Sequence, residues 1–324
     1  MAKAIRFHKL GGPEVLVLED VPVGDPGPGQ ARIRHTAIGV NFIDTYQRTG
    51  LYPLPLPCVA GNEGAGVVEA VGSGVTSVKP GDRVAYTGQP PGSYSELRLY
   101  PADKLVKLPA GISDEQAASI MLKGMTAQYL IHSTYAVKPG DTVLFHAAAG
   151  GVGLLACQWL KAIGATVIGT VGSDEKAALA KAHGCAHTIV YTRENFVERV
   201  KELTGGKGVP VVYDSVGKTT WEGSLDCLRP RGLMVSFGNA SGAVPPFSVG
   251  VLAQKGSLFV TRPSLFAYIA SRAELDTVSS SLFDAVISGK VKVEVTGRYK
   301  LADAAQAHRD LEGRKTTGCL VLLP

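Results

Sequence analysis

The chain has 324 residues, of which 45% are hydrophobic and 19% are charged, a composition typical of a globular protein rather than a disordered one. The 33 lysines and arginines are interleaved with 28 acidic residues, so the formal net charge of +5 comes without the basic run that nucleic-acid-binding segments carry. The length predicts two domains, because one domain usually holds roughly 100–200 residues.

The N-terminal segment, residues 1–9, lacks the apolar core of a secretory signal and is predicted to form a charged edge strand. The most apolar stretch, residues 143–160, is interrupted by His146 and several glycines, which argues against a membrane span. The cysteines form no CxxC pair, so neither a disulfide framework nor a cysteine zinc site is predicted. They are Cys58, Cys157, Cys185, Cys227 and Cys319. We therefore expect a soluble, cytoplasmic protein without a membrane partner.

Short β-rich runs separated by glycine and proline fill the chain up to about residue 120. They lie at residues 31–35, 64–71, 83–86 and 94–100. Such runs predict a compact, mainly β first domain.

From residue 141 onward, apolar β runs alternate with amphipathic helical stretches. The six candidate strands lie at residues 141–148, 165–171, 187–191, 210–215, 232–237 and 257–261. This alternation predicts an α/β fold with a parallel, doubly wound sheet.

The chain after Arg262 is predicted to leave this sheet and return to the first domain. It contains a helix near residues 272–287, a short strand, a helix near 302–312 and a final strand at 318–323. The predicted division is a catalytic domain of residues 1–122 and 266–324 around a dinucleotide-binding domain of residues 123–265.

A glycine-rich turn follows the first strand of the alternating region. Gly150 and Gly153 match a G-x-G-x-x-G-like turn in which Ala148 replaces the first glycine. Glycines let the backbone approach a pyrophosphate, and the helix start at Gly151 and Val152 offers N–H groups and the positive end of the helix dipole. The alternative is a turn that only permits close packing of helix and strand.

The end of the second strand favours NADPH over NADH. Enzymes that use NAD carry an acidic residue about 20 residues beyond the glycines, where it binds the adenosine ribose. Val171 occupies that place. A carboxylate there would repel a 2′-phosphate, whereas Ser173 and Lys176 can bind one. The alternative for Lys176 is an ordinary solvated helix lysine.

Several motifs together resemble the medium-chain dehydrogenase/reductase superfamily. They are the turn at residues 148–153, GVNFIDTY at residues 39–46 and GNEGAG at residues 61–66. Within the superfamily the chain is most similar to the zeta-crystallin-like NADPH:quinone oxidoreductases, over essentially its whole length. The resemblance implies a Rossmann domain with a mainly β, GroES-like catalytic domain, and a homodimer that pairs through an edge near residues 257–261.

In the zinc-dependent alcohol dehydrogenases of this superfamily, three side chains bind a catalytic metal. This chain has Asn41, Asn62 and Lys123 at those places, and amides and an ammonium group cannot replace thiolate and imidazole ligands. Ile43 replaces the proton-relaying hydroxyl residue of those relatives, and residues 87–100 lack the cysteines of their structural zinc lobe. We therefore expect no metal site.

The remaining pocket is expected to bring a reduced nicotinamide to an electron-poor acceptor. The oxygens of a quinone become more basic as hydride adds, so hydrogen-bond donors can stabilise the developing anion. The candidate catalytic donors are Asn41, Tyr46 and Tyr52. The alternatives are aromatic side chains of the rim or core and a structural loop asparagine. Asp44 and Glu63 either hold the three side chains at the metal places or form an ordinary buried salt-bridge network.

The resemblance also implies which residues contact the NADPH cofactor. Tyr191 and Lys176 are expected near the 2′-phosphate. The full set is Phe42, Asp44, Thr126, Tyr129, Gly150, Gly151, Val152, Gly153, Gly172, Ser173, Lys176, Tyr191, Val216, Phe237, Gly238, Asn239, Pro263 and Arg314.

The sequence is compatible with three candidate functions. The leading one is NADPH-dependent quinone reduction, and the second is NADPH-dependent reduction of α,β-unsaturated aldehydes or ketones. A third, of another class, is an NADPH-binding structural or RNA-binding protein. The lack of a basic patch interleaved with aromatic residues argues against nucleic acid as a partner.

Overall fold

The computed structural model describes all residues from 1 to 324, and the chain forms two compact units. The first unit contains residues 1–125, 269–287 and 293–324, and the second contains residues 126–268 and 288–292. No helix in the structure combines the length and the apolar character that crossing a membrane requires.

The strands and α-helices of the chain have the following bounds. The strands are β1 (Ala2–Phe7), β2 (Val17–Val21), β3 (Gln30–Val40), β4 (Cys58–Val59), β5 (Glu63–Val71), β6 (Arg83–Thr87), β7 (Leu97–Pro101), β8 (Val106–Lys107), β9 (Thr142–Phe145), β10 (Thr166–Val171), β11 (His187–Val190), β12 (Val209–Asp214), β13 (Leu228–Ser236), β14 (Phe259–Thr261), β15 (Val295–Lys300) and β16 (Cys319–Leu323). The α-helices are α1 (Phe42–Thr49), α2 (Asp114–Tyr129), α3 (Gly151–Ile163), α4 (Asp174–Ala182), α5 (Phe196–Leu203), α6 (Trp221–Asp226), α7 (Gly250–Gln254), α8 (Leu265–Tyr268), α9 (Arg272–Ile287) and α10 (Ala304–Glu312).

The first unit is built on two sheets. A seven-stranded sheet has the order β15-β16-β3-β5-β6-β8, with β7 also paired to β3. Strand β16 runs antiparallel to β3, so the C-terminal strand completes the sheet of the N-terminal residues. Alternate side chains of β3, β5 and β6, such as Ile33, Val68 and Val84, form one buried core of this unit.

The prediction that residues 1–9 form an edge strand is wrong. Strand β1 lies in the middle of a three-stranded sheet with the order β2-β1-β4. Its charged side chains are compatible with that position because they pair across the strands: Lys3 with Asp20 at 2.7 Å and Arg6 with Glu19 at 3.5 Å. The apolar side chains of the strand are buried beneath them.

The second unit confirms the predicted doubly wound sheet. Its six strands are all parallel, in the order β11-β10-β9-β12-β13-β14. Strands β9, β10 and β12 are buried along nearly their whole length, as expected of strands covered on both faces, and Leu144, Ile168 and Val212 are part of that core. The chain order reverses between β9 and β12, and ligands of such sheets bind outside the carboxyl ends of the strands at this switch point.

Candidate active site

The glycine-rich turn lies between the end of β9 and the start of α3. Ala147 has a φ of 53°, in the left-handed region, and Gly150 N donates to its carbonyl oxygen at 2.9 Å. A Cβ atom on Gly153 would lie 2.5 Å from the Ala147 carbonyl oxygen, so only glycine allows the helix to approach the turn this closely. The first turn of α3 carries no acidic residue, which leaves the positive end of its dipole available to an anion.

A buried hydrogen-bond network supports this turn from beneath. Asp214, at the end of β12, accepts hydrogen bonds from Val216 N at 2.7 Å and from the Ser224 hydroxyl at 2.9 Å. His146 lies 3.0 Å from the Ser224 hydroxyl and 2.8 Å from that of Thr170. Burial lowers the pKa of His146, which favours its neutral form. The network therefore joins the carboxyl ends of β9, β10 and β12, and no local motif in the sequence indicates it.

The residues predicted near a 2′-phosphate meet at the carboxyl ends of β10 and β11. Ser173 caps the N-terminus of α4, and its hydroxyl accepts the backbone N–H of Lys176 at 3.3 Å. A Cβ atom on Gly172 would lie 2.8 Å from the hydroxyl of Tyr191, a half-exposed side chain. The four residues thus lie together in the second unit. Val171 is buried beneath them.

An acidic residue that no sequence motif indicates lies beside Gly172, Ser173 and Lys176. Asp174 is the first residue of α4 and is largely exposed. Arg193 forms a two-pronged ion pair with it, one hydrogen bond measuring 2.6 Å, and this hydrogen bonding lowers the pKa of Asp174. The pairing offsets a negative charge that would otherwise oppose the binding of a phosphate. The Asp174–Arg193 spacing of 19 residues gives no signal in the sequence.

The other predicted cofactor residues of the second unit follow the ends of its remaining strands. Val216 comes after β12, and Pro263 comes after β14. Phe237, Gly238 and Asn239 come directly after β13. A Cβ atom on Gly238 would lie 2.4 Å from the Ser215 carbonyl oxygen, so this turn also requires close backbone contact. These residues line the same sheet edge as the glycine turn.

Two predicted cofactor residues lie on the last turn of α2. Thr126 is buried, and the buried ring of Tyr129 stacks on that of Tyr268 with 4.4 Å between centroids. The stacking gives Tyr129 a packing role within the second unit. Contact with a cofactor stays a prediction for both residues.

The first unit holds Asn41, Asn62 and Lys123, the side chains that the resemblance assigns to the metal positions of the zinc relatives. Asn41 precedes α1; its backbone N–H donates to Asp44 at 2.9 Å, and its side-chain Nδ2 donates to Glu63 at 2.7 Å. Asn62 donates from Nδ2 to Asp44 at 2.7 Å. Lys123 lies 3.7 Å from Glu63. Two carboxylates therefore connect all three side chains.

These carboxylates are fully buried, and their electrostatics follow from that. Burial raises the pKa of Asp44 to about 6, against the lowering effect of its hydrogen bonds and of Lys123. Burial also raises the pKa of Glu63, whose oxygens accept hydrogen bonds from Asn41 and from Leu122 N. Because Nδ2 of Asn41 points to Glu63, its Oδ1 is buried without a hydrogen-bond partner. That atom is a hydrogen-bond acceptor.

Three predicted aromatic residues cluster on and after α1. The rings of Phe42 and Tyr46 lie 6.2 Å apart, and those of Tyr46 and Tyr52 lie 5.4 Å apart in an edge-on arrangement. All three side chains are half-buried. Arg314, also in the first unit, is exposed in the turn after α10 and has a φ of 56°. The catalytic and cofactor roles of these residues stay predictions.

No group of three or more histidine, cysteine, aspartate or glutamate side chains in the structure could hold a metal ion. All five cysteines are free thiols.

Two protein families match parts of the chain, and named relatives match its whole length. The family described as "Alcohol dehydrogenase GroES-like domain" matches residues 27–110, and that described as "Zinc-binding dehydrogenase" matches residues 151–277. Neither range includes Lys123. A quinone oxidoreductase of Pseudomonas aeruginosa is 58% identical, and a 2-haloacrylate reductase of a Burkholderia species is 53% identical. These matches cover 100% of this chain and at least 99% of each relative.

Among solved structures, the Escherichia coli quinone oxidoreductase complexed with NADPH has a TM-score of 0.98 to this chain. Its sequence is 55% identical, and the match covers 100% of both chains.

Proposed function

The chain belongs to the quinone oxidoreductase family of the medium-chain dehydrogenase/reductase superfamily, and from that membership we propose that it is an enzyme that reduces quinones with NADPH. The observation that carries the proposal is the buried cluster in which Asn41, Asn62 and Lys123 are bound to two carboxylates. Amides and a lysine so engaged provide hydrogen bonds and charge where the zinc relatives provide metal ligands.

The second unit fits NADPH by the shape of its backbone. Gly153 lets α3 begin close against the turn after β9, because a Cβ atom there would lie 2.5 Å from the Ala147 carbonyl oxygen. The N–H groups at the start of α3 would bind the pyrophosphate, and Ser173 and Lys176 would bind the 2′-phosphate. When bound, NADPH supplies a hydride to an electron-poor acceptor.

The first unit supplies the polar groups for the acceptor. Tyr46 and Tyr52 carry hydroxyls that can donate hydrogen bonds to a quinone oxygen as it gains negative charge. Asn41 cannot act as a donor in the same way, because its Nδ2 already donates to Glu63. Its Oδ1 has no hydrogen-bond partner and can only accept. That atom would receive an N–H or O–H from the bound ligand, and the carboxylates would keep it oriented.

A second candidate activity rests on the 53% identity to the 2-haloacrylate reductase. The name of that relative indicates reduction of a carbon–carbon double bond next to a carboxylate. This reaction uses the same hydride transfer as quinone reduction but a different class of acceptor. NADPH oxidation measured side by side with p-benzoquinone, 2-cyclohexenone and 2-chloroacrylate separates the two activities. We expect the highest kcat/KM with the quinone. A higher value with either unsaturated carbonyl compound would reassign the substrate class.

The exposed edge of the six-stranded sheet supports a homodimer. Strand β14 pairs only with β13, and Phe259 on it is 61% exposed. An apolar unpaired edge strand of this kind is suited to pairing with a second copy. Light scattering should give twice the chain mass for the unmodified protein and a smaller mass for Phe259→Lys. A monomeric unmodified protein would exclude this assembly. A cytoplasmic location fits the five free thiols.

A further inference from the structure

A line of buried side chains leads from α10 to Asp44, the carboxylate that accepts the backbone N–H of Asn41 and the side-chain amide of Asn62. Arg48 Nη1 lies 3.0 Å from His308 Nδ1, and His308 Nε2 lies 3.0 Å from the hydroxyl of Tyr94. That hydroxyl lies 3.0 Å from Asp44 Oδ2. All four side chains are at least 98% buried, although 260 residues separate Arg48 from His308.

The chemistry of the groups gives this line one direction. An arginine has only donors, so Nδ1 of His308 must accept, and a neutral imidazole then carries its proton on Nε2. Burial and the charge of Arg48 lower the pKa of His308 to about 3, which keeps the ring neutral. Nε2 therefore donates to the hydroxyl oxygen of Tyr94. The proton of that hydroxyl is left to donate to Asp44.

The outer end of the line is fixed. Arg48 Nη2 forms an ion pair with Glu312 at 2.6 Å, and its Nε donates to the Gly11 carbonyl oxygen at 3.0 Å. The guanidinium therefore keeps one orientation, and Nη1 remains directed at the imidazole.

We propose that Arg48, His308 and Tyr94 are positioning residues that keep the Asp44 carboxylate ionised and so hold the backbone of Asn41 and the side-chain amide of Asn62 in place. The inference rests on the proposed quinone reduction, for which these two residues are placed. An ionised Asp44 accepts from the backbone N–H of Asn41 and from the side-chain amide of Asn62; a protonated one has a donor where it needs an acceptor.

Asp44 is poised between its two charge states. Burial favours the protonated form, whereas donors from Asn41, Asn62 and Tyr94 favour the ionised one. The charged groups around it are Lys123 on α2, which favours the ionised form, and Glu63 on β5, which opposes it by like charge. Arg48 on the same helix acts through the line. With so close a balance, loss of one donor should change the ionisation of Asp44 near neutral pH.

The test compares Tyr94→Phe with Tyr100→Phe, a matched control in the same unit. The hydroxyl of Tyr100 is also buried but has no hydrogen-bond partner, so its removal breaks no bond. The readout is the pH dependence of kcat/KM for NADPH oxidation with p-benzoquinone. In the unmodified protein, activity should fall as the pH drops through about 6. In Tyr94→Phe this acidic limb should move to higher pH by roughly one unit, since one donor to the charged form is lost. Tyr100→Phe should superimpose on the unmodified protein.

Variants of His308 give an independent check. His308→Gln keeps a donor at the place of Nε2 and should retain the profile. His308→Leu removes that donor and should shift the limb in the same direction as Tyr94→Phe but by less, because the Tyr94 hydroxyl still donates to Asp44. Equal profiles for Tyr94→Phe and the unmodified protein, or an equal shift in Tyr100→Phe, would overturn the inference. An unmodified protein that does not oxidise NADPH with any quinone would instead overturn the proposed function.

Discussion

Replacing Lys176 with alanine is expected to weaken NADPH binding while leaving NADH binding nearly unchanged. Lys176 lies in the first turn of α4 beside Gly172, Ser173 and Tyr191. The helix cap should survive the substitution, because the Ser173 hydroxyl accepts the backbone N–H of residue 176 and not its side chain. Alanine is also a good helix former, so the fold should tolerate the change.

The magnitude follows from the single charge that is removed. A hydrogen bond to a charged group contributes about 1.5–3 kcal/mol, which corresponds to a rise of roughly 10- to 150-fold in the dissociation constant for NADPH. Ser173→Ala should differ in kind, since it also removes the cap of α4 and should lower the free energy of unfolding by about 1 kcal/mol.

Dissociation constants for both cofactors, measured by fluorescence titration at fixed ionic strength, test this expectation. Lys181→Ala is the matched control, because Lys181 is an exposed lysine in the last turn of the same helix. It should leave both constants unchanged. Equal weakening of NADPH and NADH in Lys176→Ala, or equally tight binding of NADH by the unmodified protein, would show that Lys176 does not bind the 2′-phosphate.

Three further expectations concern the acceptor site, the strand end and acid stability. Tyr52→Phe should slow quinone reduction by about 10²–10³-fold in kcat with an unchanged dissociation constant for NADPH; a change confined to cofactor affinity would reassign the residue. Val171→Asp should lower the melting temperature, because the side chain is buried and its carboxylate would be desolvated; an unchanged melting temperature would contradict this. Burial lowers the pKa of His35 and of His308 to about 3, so the folded state binds fewer protons than the unfolded chain between pH 6.5 and 3. In urea unfolding, the free energy of unfolding should therefore decrease as the pH is lowered from 6.5 to 3, by about 1.4 kcal/mol per pH unit for each histidine. The decrease should be smaller where Asp44, whose pKa is raised, has the opposite effect. A flat dependence would show that these imidazoles are not held neutral.

The sequence predicted the second unit well because its signals are local. Strands β9, β10 and β12 are short, mainly apolar and buried runs, and the glycine turn follows the first of them directly. The first unit was harder to predict. Helix α1 lies within residues whose motif was interpreted only through the resemblance, and its buried face includes polar residues such as Gln47 and Arg48.

Charge patterns misled the prediction for the N-terminal strand. Lys3 and Arg6 suggested an exposed edge, but their partners Asp20 and Glu19 lie on the neighbouring strand β2. A single sequence does not show which strands will pair, so it cannot distinguish a solvated charge from one paired across a sheet.

The candidate site divides in the same way. Asn41, Asn62 and Lys123 could be named from motifs, but the contacts that orient them depend on tertiary structure. Tyr94 contacts Asp44 across a separation of 50 residues, and His308 contacts Tyr94 across a separation of 214 residues. Neither residue lies in a recognisable motif. Their place could be found only by asking which groups satisfy a buried carboxylate.

Metal independence is tested by NADPH oxidation with p-benzoquinone by protein dialysed against a strong chelator, with zinc measured on the same sample. We expect full turnover without stoichiometric zinc, because Asn41, Asn62 and Lys123 are engaged by carboxylates rather than arranged as metal ligands. Loss of turnover on dialysis, with recovery on adding back one equivalent of zinc, would contradict it.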